Sequence, residues 1–152
     1  METQVILTRG SSVAEVIEGY IGQAAASVDA ALYRFNNPRL ARALQQAMGR
    51  EVRVRLVLDR NKYEESRSAQ ELLSSGAIPF RLLYGRQGVG TKMHHKFAIL
   101  DGRTVLTGSY NWTLESEEQN YESLLILQEP EPVAVFQREF ARLWDEATAL
   151  PI

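Results

Sequence analysis

An α/β sandwich, built on a mixed, mostly parallel β-sheet with helices on both faces, is the fold class this sequence predicts. Three observations point there. Short apolar runs alternate with helical periodicities through the first half of the chain, a tight hairpin follows near residue 101, and the C-terminal segment is an amphipathic helix. A chain of 152 residues, 45% of them hydrophobic, is sized to close one core, so residues 1–152 are expected to form a single domain.

Each element has its own signal. Val5 to Leu7 is a short strand, and Ser12 followed by Glu15 is a capping box opening a helix to about Ala26. Val28 to Tyr33 is a second strand. Asn37 caps the next helix, Pro38 takes its first position, Leu40, Leu44 and Met48 share one face, and Gly49 ends it. Val52 to Leu58 alternates and then becomes continuously apolar, as a strand does when it passes under cover, and ends at Asp59. Tyr63 to Ser75 reads as one helix closing at Gly76, followed by a strand from Phe80 to Leu83 and a glycine-rich loop from Tyr84 to Thr91. Met93 to Leu100 and Thr104 to Thr107 are strands joined by Asp101-Gly102, a dipeptide suited to tight hairpins. Trp112 to Gln119 is a polar loop or short helix, and Tyr121 to Leu127 is a strand. Val133, Phe136, Phe140, Leu143 and Ala147 recur at steps of three and four, which gives the last helix an apolar face.

Composition narrows the chemistry. With no cysteine, the chain has no disulfide, thiolate metal site or cysteine nucleophile. A net charge of −2 offers no global attraction to nucleic acid or anionic membrane, so an anionic substrate needs a local basic patch. No stretch approaches the roughly 20 apolar residues of a membrane span, and the N-terminus does not resemble a secretory signal, so a cytoplasmic location is expected.

The chain has two histidines, and they are adjacent. In a strand, alternate side chains share a side, so His94 and Lys96 face one way while His95 falls in line with Phe97 and Ile99 on the covered face. His95 is therefore expected to pack or hydrogen-bond there. Gly108, Ser109 and Asn111 follow the return strand, where they can come close to His94 and Lys96. Taken singly, Lys96 is an edge charge and Gly-Ser-x-Asn a turn. Together, an ammonium, a hydroxyl, an amide and backbone N–H groups can neutralise the charge that develops on a phosphodiester, and a neutral imidazole can attack phosphorus. No carboxylate cluster accompanies them, which points away from a two-metal hydrolase.

His94-x-Lys96-x4-Asp101-x6-Gly108-Ser109-x-Asn111 resembles the signature of the phospholipase D superfamily at every fixed position. Among its members the chain is most similar to the small single-motif group, which includes the bacterial Nuc-type endonucleases and the mitochondrial cardiolipin hydrolase and Zucchini nucleases. The resemblance implies that His94 is the nucleophile, that Lys96, Ser109 and Asn111 hold the phosphoryl oxygens, and that Glu122 orients the histidine. Asp101 and Gly108 are expected to be structural, and neither metal nor cofactor is implied. The mechanism needs two histidines facing one phosphate, and His95 is on the wrong face, so a two-fold homodimer sharing its site is expected.

A nuclease acting on DNA or RNA is the first reading. Arg34, Arg60, Lys62, Arg81, Arg86 and Lys92 are candidates for a basic groove, with Tyr33, Tyr84, Tyr110 and Trp112 as stacking aromatics; Arg86, Lys92 and Trp112 are the substrate-binding residues singled out. Hydrolysis of phospholipid is the alternative, and a catalytically silent nucleic-acid-binding module is a third.

Overall fold

The computed structural model describes residues 2–148. Chain order gives β1 (Gln4–Leu7), α1 (Val13–Gln23), β2 (Ser27–Leu32), α2 (Pro38–Gly49), β3 (Arg53–Asp59), α3 (Arg60–Glu65), α4 (Arg67–Gly76), β4 (Phe80–Leu83), β5 (Lys96–Leu100), β6 (Thr104–Gly108), α5 (Leu114–Glu118), β7 (Ser123–Leu127) and α6 (Pro130–Glu146).

Local chemistry explains most boundaries. Ser12 Oγ accepts the Glu15 N–H at 3.1 Å, yet the reciprocal carboxylate is Glu117 of α5, which binds Ser12 Oγ at 2.7 Å and the Ala14 N–H at 2.9 Å. Asn37 caps α2 through the Arg39 N–H at 2.9 Å, with Pro38 at the first helical position. The single helix expected from Tyr63 to Ser75 is two. Asp59 caps α3 and Ser66 both interrupts the run and caps α4 through the Ala69 N–H.

The seven strands lie in the order β1-β7-β6-β5-β2-β3-β4. The mixed α/β class holds, but the expectation of a mostly parallel sheet does not. Among the described residues β2–β3 and β3–β4 are parallel and the other four pairings are antiparallel. For β5–β6 the reason is connection length, since parallel neighbours need a crossover of a dozen residues or more and the Asp101-Gly102 turn is far too short for one; the other three antiparallel pairs follow from strand order in the sheet.

Strand alternation splits the core. Ala98 and Leu100 of β5 join Leu32, Leu56, Leu106 and Ile126 under α1, α2 and α4, whereas Phe97 and Ile99 join Val57 and Val105 under Phe140 and Leu143 of α6. Each large apolar side chain enclosed in this way contributes roughly 1.5–3 kcal/mol relative to exposure.

One end of this sheet collects the chemistry. Leu32 pairs with Lys96, Phe97 with Thr107 and Gly108 with Leu124, so the ends of β2, β3 and β6 meet the starts of β5 and β7. Asp101 lies at the opposite end, where its carboxylate accepts the N–H groups of Ala25, Ala26 and Ser27 at 2.7–3.2 Å. These bonds and Arg103 outweigh the effect of burial, so its carboxyl sits below the usual aspartate range. Its contacts are those of a clamp between the hairpin and the α1–β2 connection.

Candidate functional site

His94 stands just before β5, not within it, because the expected strand from Met93 begins only at Lys96. Two contacts define the approach to it. The Met93 N–H donates to Asp59 Oδ1 at 2.9 Å, and the Tyr33 N–H donates to the His95 carbonyl at 2.9 Å. Asp59 is 1% exposed, and its other oxygen accepts the Lys62 N–H at 3.0 Å. One buried carboxylate therefore ties the residue before His94 to the first turn of α3.

Lys96 is on the His94 side, as alternation predicts. Its Nζ lies 3.2 Å from His94 Nδ1 and 2.8 Å from the His94 carbonyl oxygen. The His94 ring also rests against Tyr33, centroids 4.4 Å apart and tilted 57°. Partial burial, then the charges of Lys96 and Lys92, push the imidazole below the usual histidine range, while Asp59 pulls it back. These effects favour the neutral imidazole over the imidazolium within one chain. Burial likewise lowers the Lys96 ammonium, against the opposing pull of Glu122.

Ser109, Asn111 and Glu122 form a second cluster, joined through a residue that the sequence does not single out. Ser109 Oγ donates to Glu122 Oε1 at 2.6 Å and accepts the Ser123 N–H at 3.0 Å. Ser116 Oγ donates to Glu122 Oε2 at 3.0 Å and accepts the Asn111 N–H at 3.3 Å. Glu122 also receives Asn120 Nδ2 at 3.1 Å, and Thr8 Oγ1 accepts its backbone N–H at 2.8 Å. The only local hint of Ser116 is its place in the first turn of a helix capped by Thr113. Glu122 therefore binds Ser109 and Ser116, and it makes no hydrogen bond to His94 of the same chain among the described residues.

Gly108 makes this cluster possible. A side-chain carbon there would collide with the Ser123 carbonyl oxygen and lie 3.1 Å from Leu124 Cα, and its φ of 158° suits few other residues. Close approach of β6 and β7 brings Ser109 to Glu122.

The remaining expectations divide. His95 sits on the α6 side, edge-on to Phe97 with centroids 5.1 Å apart, and its Nε2 is 2.8 Å from Glu139. Its side chain is 43% exposed, so it is hydrogen-bonded at the margin of that face and is not packed inside. Trp112 is 2% exposed and packs near Phe35, so it offers no surface for stacking; Tyr110, enclosed with its hydroxyl donated to Glu117, offers none either. Burial and that carboxylate raise the Tyr110 phenol well above its usual range. Arg81 is spent on the α6 side, against the Trp144 ring and carbonyl. Arg86 and Lys92 are exposed in the loop before His94. Arg34 and Lys62 line a cavity that adjoins Tyr33. Among the described residues no three His, Asp or Glu side chains converge to hold a metal ion, and no helix is long and apolar enough to cross a membrane.

Residues 17–144 match the family described as "Cardiolipin synthase, PLD-like domain". The human mitochondrial cardiolipin hydrolase is 42% identical over 123 residues, covering 81% of this chain and 47% of that protein. The dog protein of the same name is 38% identical over 136 residues, covering 90% of this chain and 52% of its own length. The chain thus spans about half the length of the curated relatives it matches. Nuc from Salmonella typhimurium, a phospholipase D family member of known crystal structure, superposes with a TM-score of 0.87 at 25% identity, covering 99% of both chains. NucT from Helicobacter pylori shares the fold with a TM-score of 0.85 at 23% identity over 98% of this chain and 100% of that one.

Proposed function

The chain belongs to the phospholipase D superfamily, and on that premise we propose that it is a nuclease, cleaving DNA or RNA through a phosphohistidine in a site completed by a second copy. The observation that carries this reading is the exposed His94 ring, biased toward its neutral form, with the Lys96 ammonium 3.2 Å from its Nδ1. One histidine per chain faces this site, because His95 is held by Glu139 on the other side of β5.

In the first step a His94 nitrogen attacks phosphorus and the bond to the leaving oxygen breaks. That oxygen takes its proton from His94 of the second copy, which enters the step as the imidazolium and leaves it as the neutral base, so the pair starts with one ring neutral and one protonated. Lys96 and the Asn111 amide offset the charge on the nonbridging oxygens, and the Ser109 hydroxyl joins them by turning its one proton from Glu122 to the phosphate. In the second step water attacks the phosphohistidine, giving its proton to the second copy's imidazole, and releases a phosphomonoester. Glu122, which makes no hydrogen bond to its own His94 among the described residues, accepts the Ser109 hydroxyl and holds it in place. The route calls on no metal ion.

Hydrolysis of phospholipid is the second reading, favoured by one observation besides the names of the relatives. Tyr121, which lines a surface hollow with Ser109 and Glu122, is 81% exposed and offers apolar surface beside that cluster.

One assay separates these readings: single-stranded DNA, duplex DNA, RNA and anionic phospholipid vesicles, each with excess EDTA, beside a His94→Ala control. Cleavage of a polynucleotide that resists EDTA and disappears in the variant is expected. Activity that survives His94→Ala, or that EDTA abolishes, contradicts the phosphohistidine route. Binding of nucleic acid without cleavage identifies a silent module.

A further inference from the structure

We propose that the cavity beside Tyr33 is the subsite for a nucleoside attached to the scissile phosphate, an inference that rests on the nuclease reading above. The cavity has a volume of about 320 Å³ and lies between the end of β2, the end of β3 and the α3–α4 corner, within the size range of pockets for small ligands. Tyr33 belongs both to this cavity and to the His94 site, so the cavity borders the place where the His94 ring would meet phosphorus.

The walls select the chemistry of that group. Arg34, Lys62 and Arg67 bring three cations, Lys62 Nζ lies 5.8 Å from the Tyr33 ring centre, and Asn36, Ser66 and Ser68 add polar edges. Two carboxylates also line the cavity. Asp59 is closed off by the Met93 and Lys62 N–H groups, and Glu65 pairs with Lys62 at 3.3 Å. Arg34 and Arg67 pair outward with Glu115 at 3.6 Å and Glu71 at 3.9 Å. Such exposed pairs are weak in water, so the cations are available to a phosphate. An aromatic ring, hydrogen-bonding edges and spare positive charge suit a base, a sugar and the next phosphate. Acyl chains need a long apolar wall, and the apolar lining here is Phe35, Leu58 and Ala69, all buried.

Symmetry strengthens the choice. In a two-fold dimer with one phosphate at the axis, the cavity and its copy lie on opposite sides of that phosphate. Both arms of the substrate then meet the same chemistry. A polynucleotide has a nucleoside on each side of its phosphate, whereas one arm of a phospholipid is diacylglycerol.

The test compares kcat/KM for a single-stranded DNA oligonucleotide with kcat/KM for bis(4-nitrophenyl) phosphate, in wild type, Lys62→Met and the cavity-filling Ser68→Leu. Loss of one stacking or charged contact should lower the ratio of the two constants about tenfold in each variant. A wild-type ratio in both variants overturns the subsite while leaving the phosphodiesterase reading intact. Absence of cleavage of both substrates by the wild type is failure of the reading itself, and oligonucleotide binding to His94→Ala then decides. A Kd weakened about tenfold by adding Ser68→Leu supports the subsite, and an unchanged Kd overturns it. Circular-dichroism melting of each variant separates these effects from loss of folding.

Discussion

The Asp59 carboxylate is almost wholly enclosed, yet both its oxygens bind backbone N–H groups, those of Met93 and Lys62. Removing it strands two buried donors, at about 1–3 kcal/mol each, so Asp59→Ala should lower the unfolding free energy by roughly 2–5 kcal/mol in a urea titration. Asp59→Asn keeps an amide oxygen for one donor and should cost less. The same substitution has an electrical effect that a purely structural role would not produce. Asp59 pulls the His94 imidazole upward while Lys96 and Lys92 push it down, so Asp59→Asn should move its midpoint further below the histidine range and Lys92→Gln should raise it. With two histidines in the chain, an NMR titration resolves each directly, and shifts of the opposite sign would contradict the assignment. That Lys96 lies on the His94 side was legible from sequence, because alternate residues of an extended segment share a face. The second partners of Asp59 and Ser116 were not, since neither an N-capping residue nor a serine in a first helical turn carries a mark of the distant group that it also binds. Trp112, set among site residues by its position in the chain, belongs to the core, because residue order does not say which way a loop aromatic turns.

At the level of elements, the meeting of β6 and β7 governs the second half of the site. Gly108→Ala would force its methyl group into the Ser123 carbonyl, part the strands and separate Ser109 from Glu122, now 2.6 Å apart. Overpacking of this kind costs about 1–3 kcal/mol. The variant should therefore be measurably less stable to urea and should lose kcat far beyond what its stability loss explains, whereas wild-type turnover would show that this strand contact is idle. The elements themselves were mostly readable, since apolar periodicity and caps are local. Two failures have physical causes. The break at Ser66 was hidden because α3 is polar apart from Tyr63 and has no apolar period to mark its end, and only side-chain capping divides it from α4. The balance of parallel and antiparallel pairing was misjudged because strand order is set by which elements pack together, and β5 inserts beside β2 although three helices and two strands separate them in the chain.

For the whole molecule, the proposed chemistry makes a quantitative demand on assembly. Each chain brings one His94 to the shared site, so a dimer of wild type and His94→Ala has one imidazole where the reaction needs a nucleophile and a proton donor. If the two chains are co-refolded in equal amounts and pair at random, the fully wild-type dimer is about a quarter of the total, and activity should fall to that level. Independent sites would leave about half, because each wild-type chain would work alone. The two outcomes differ enough for an ordinary rate assay, and titrating the mixing ratio makes the distinction sharper: activity should follow the square of the wild-type fraction, not the fraction itself. A linear dependence, or full activity at a monomeric mass by light scattering, would contradict the shared site.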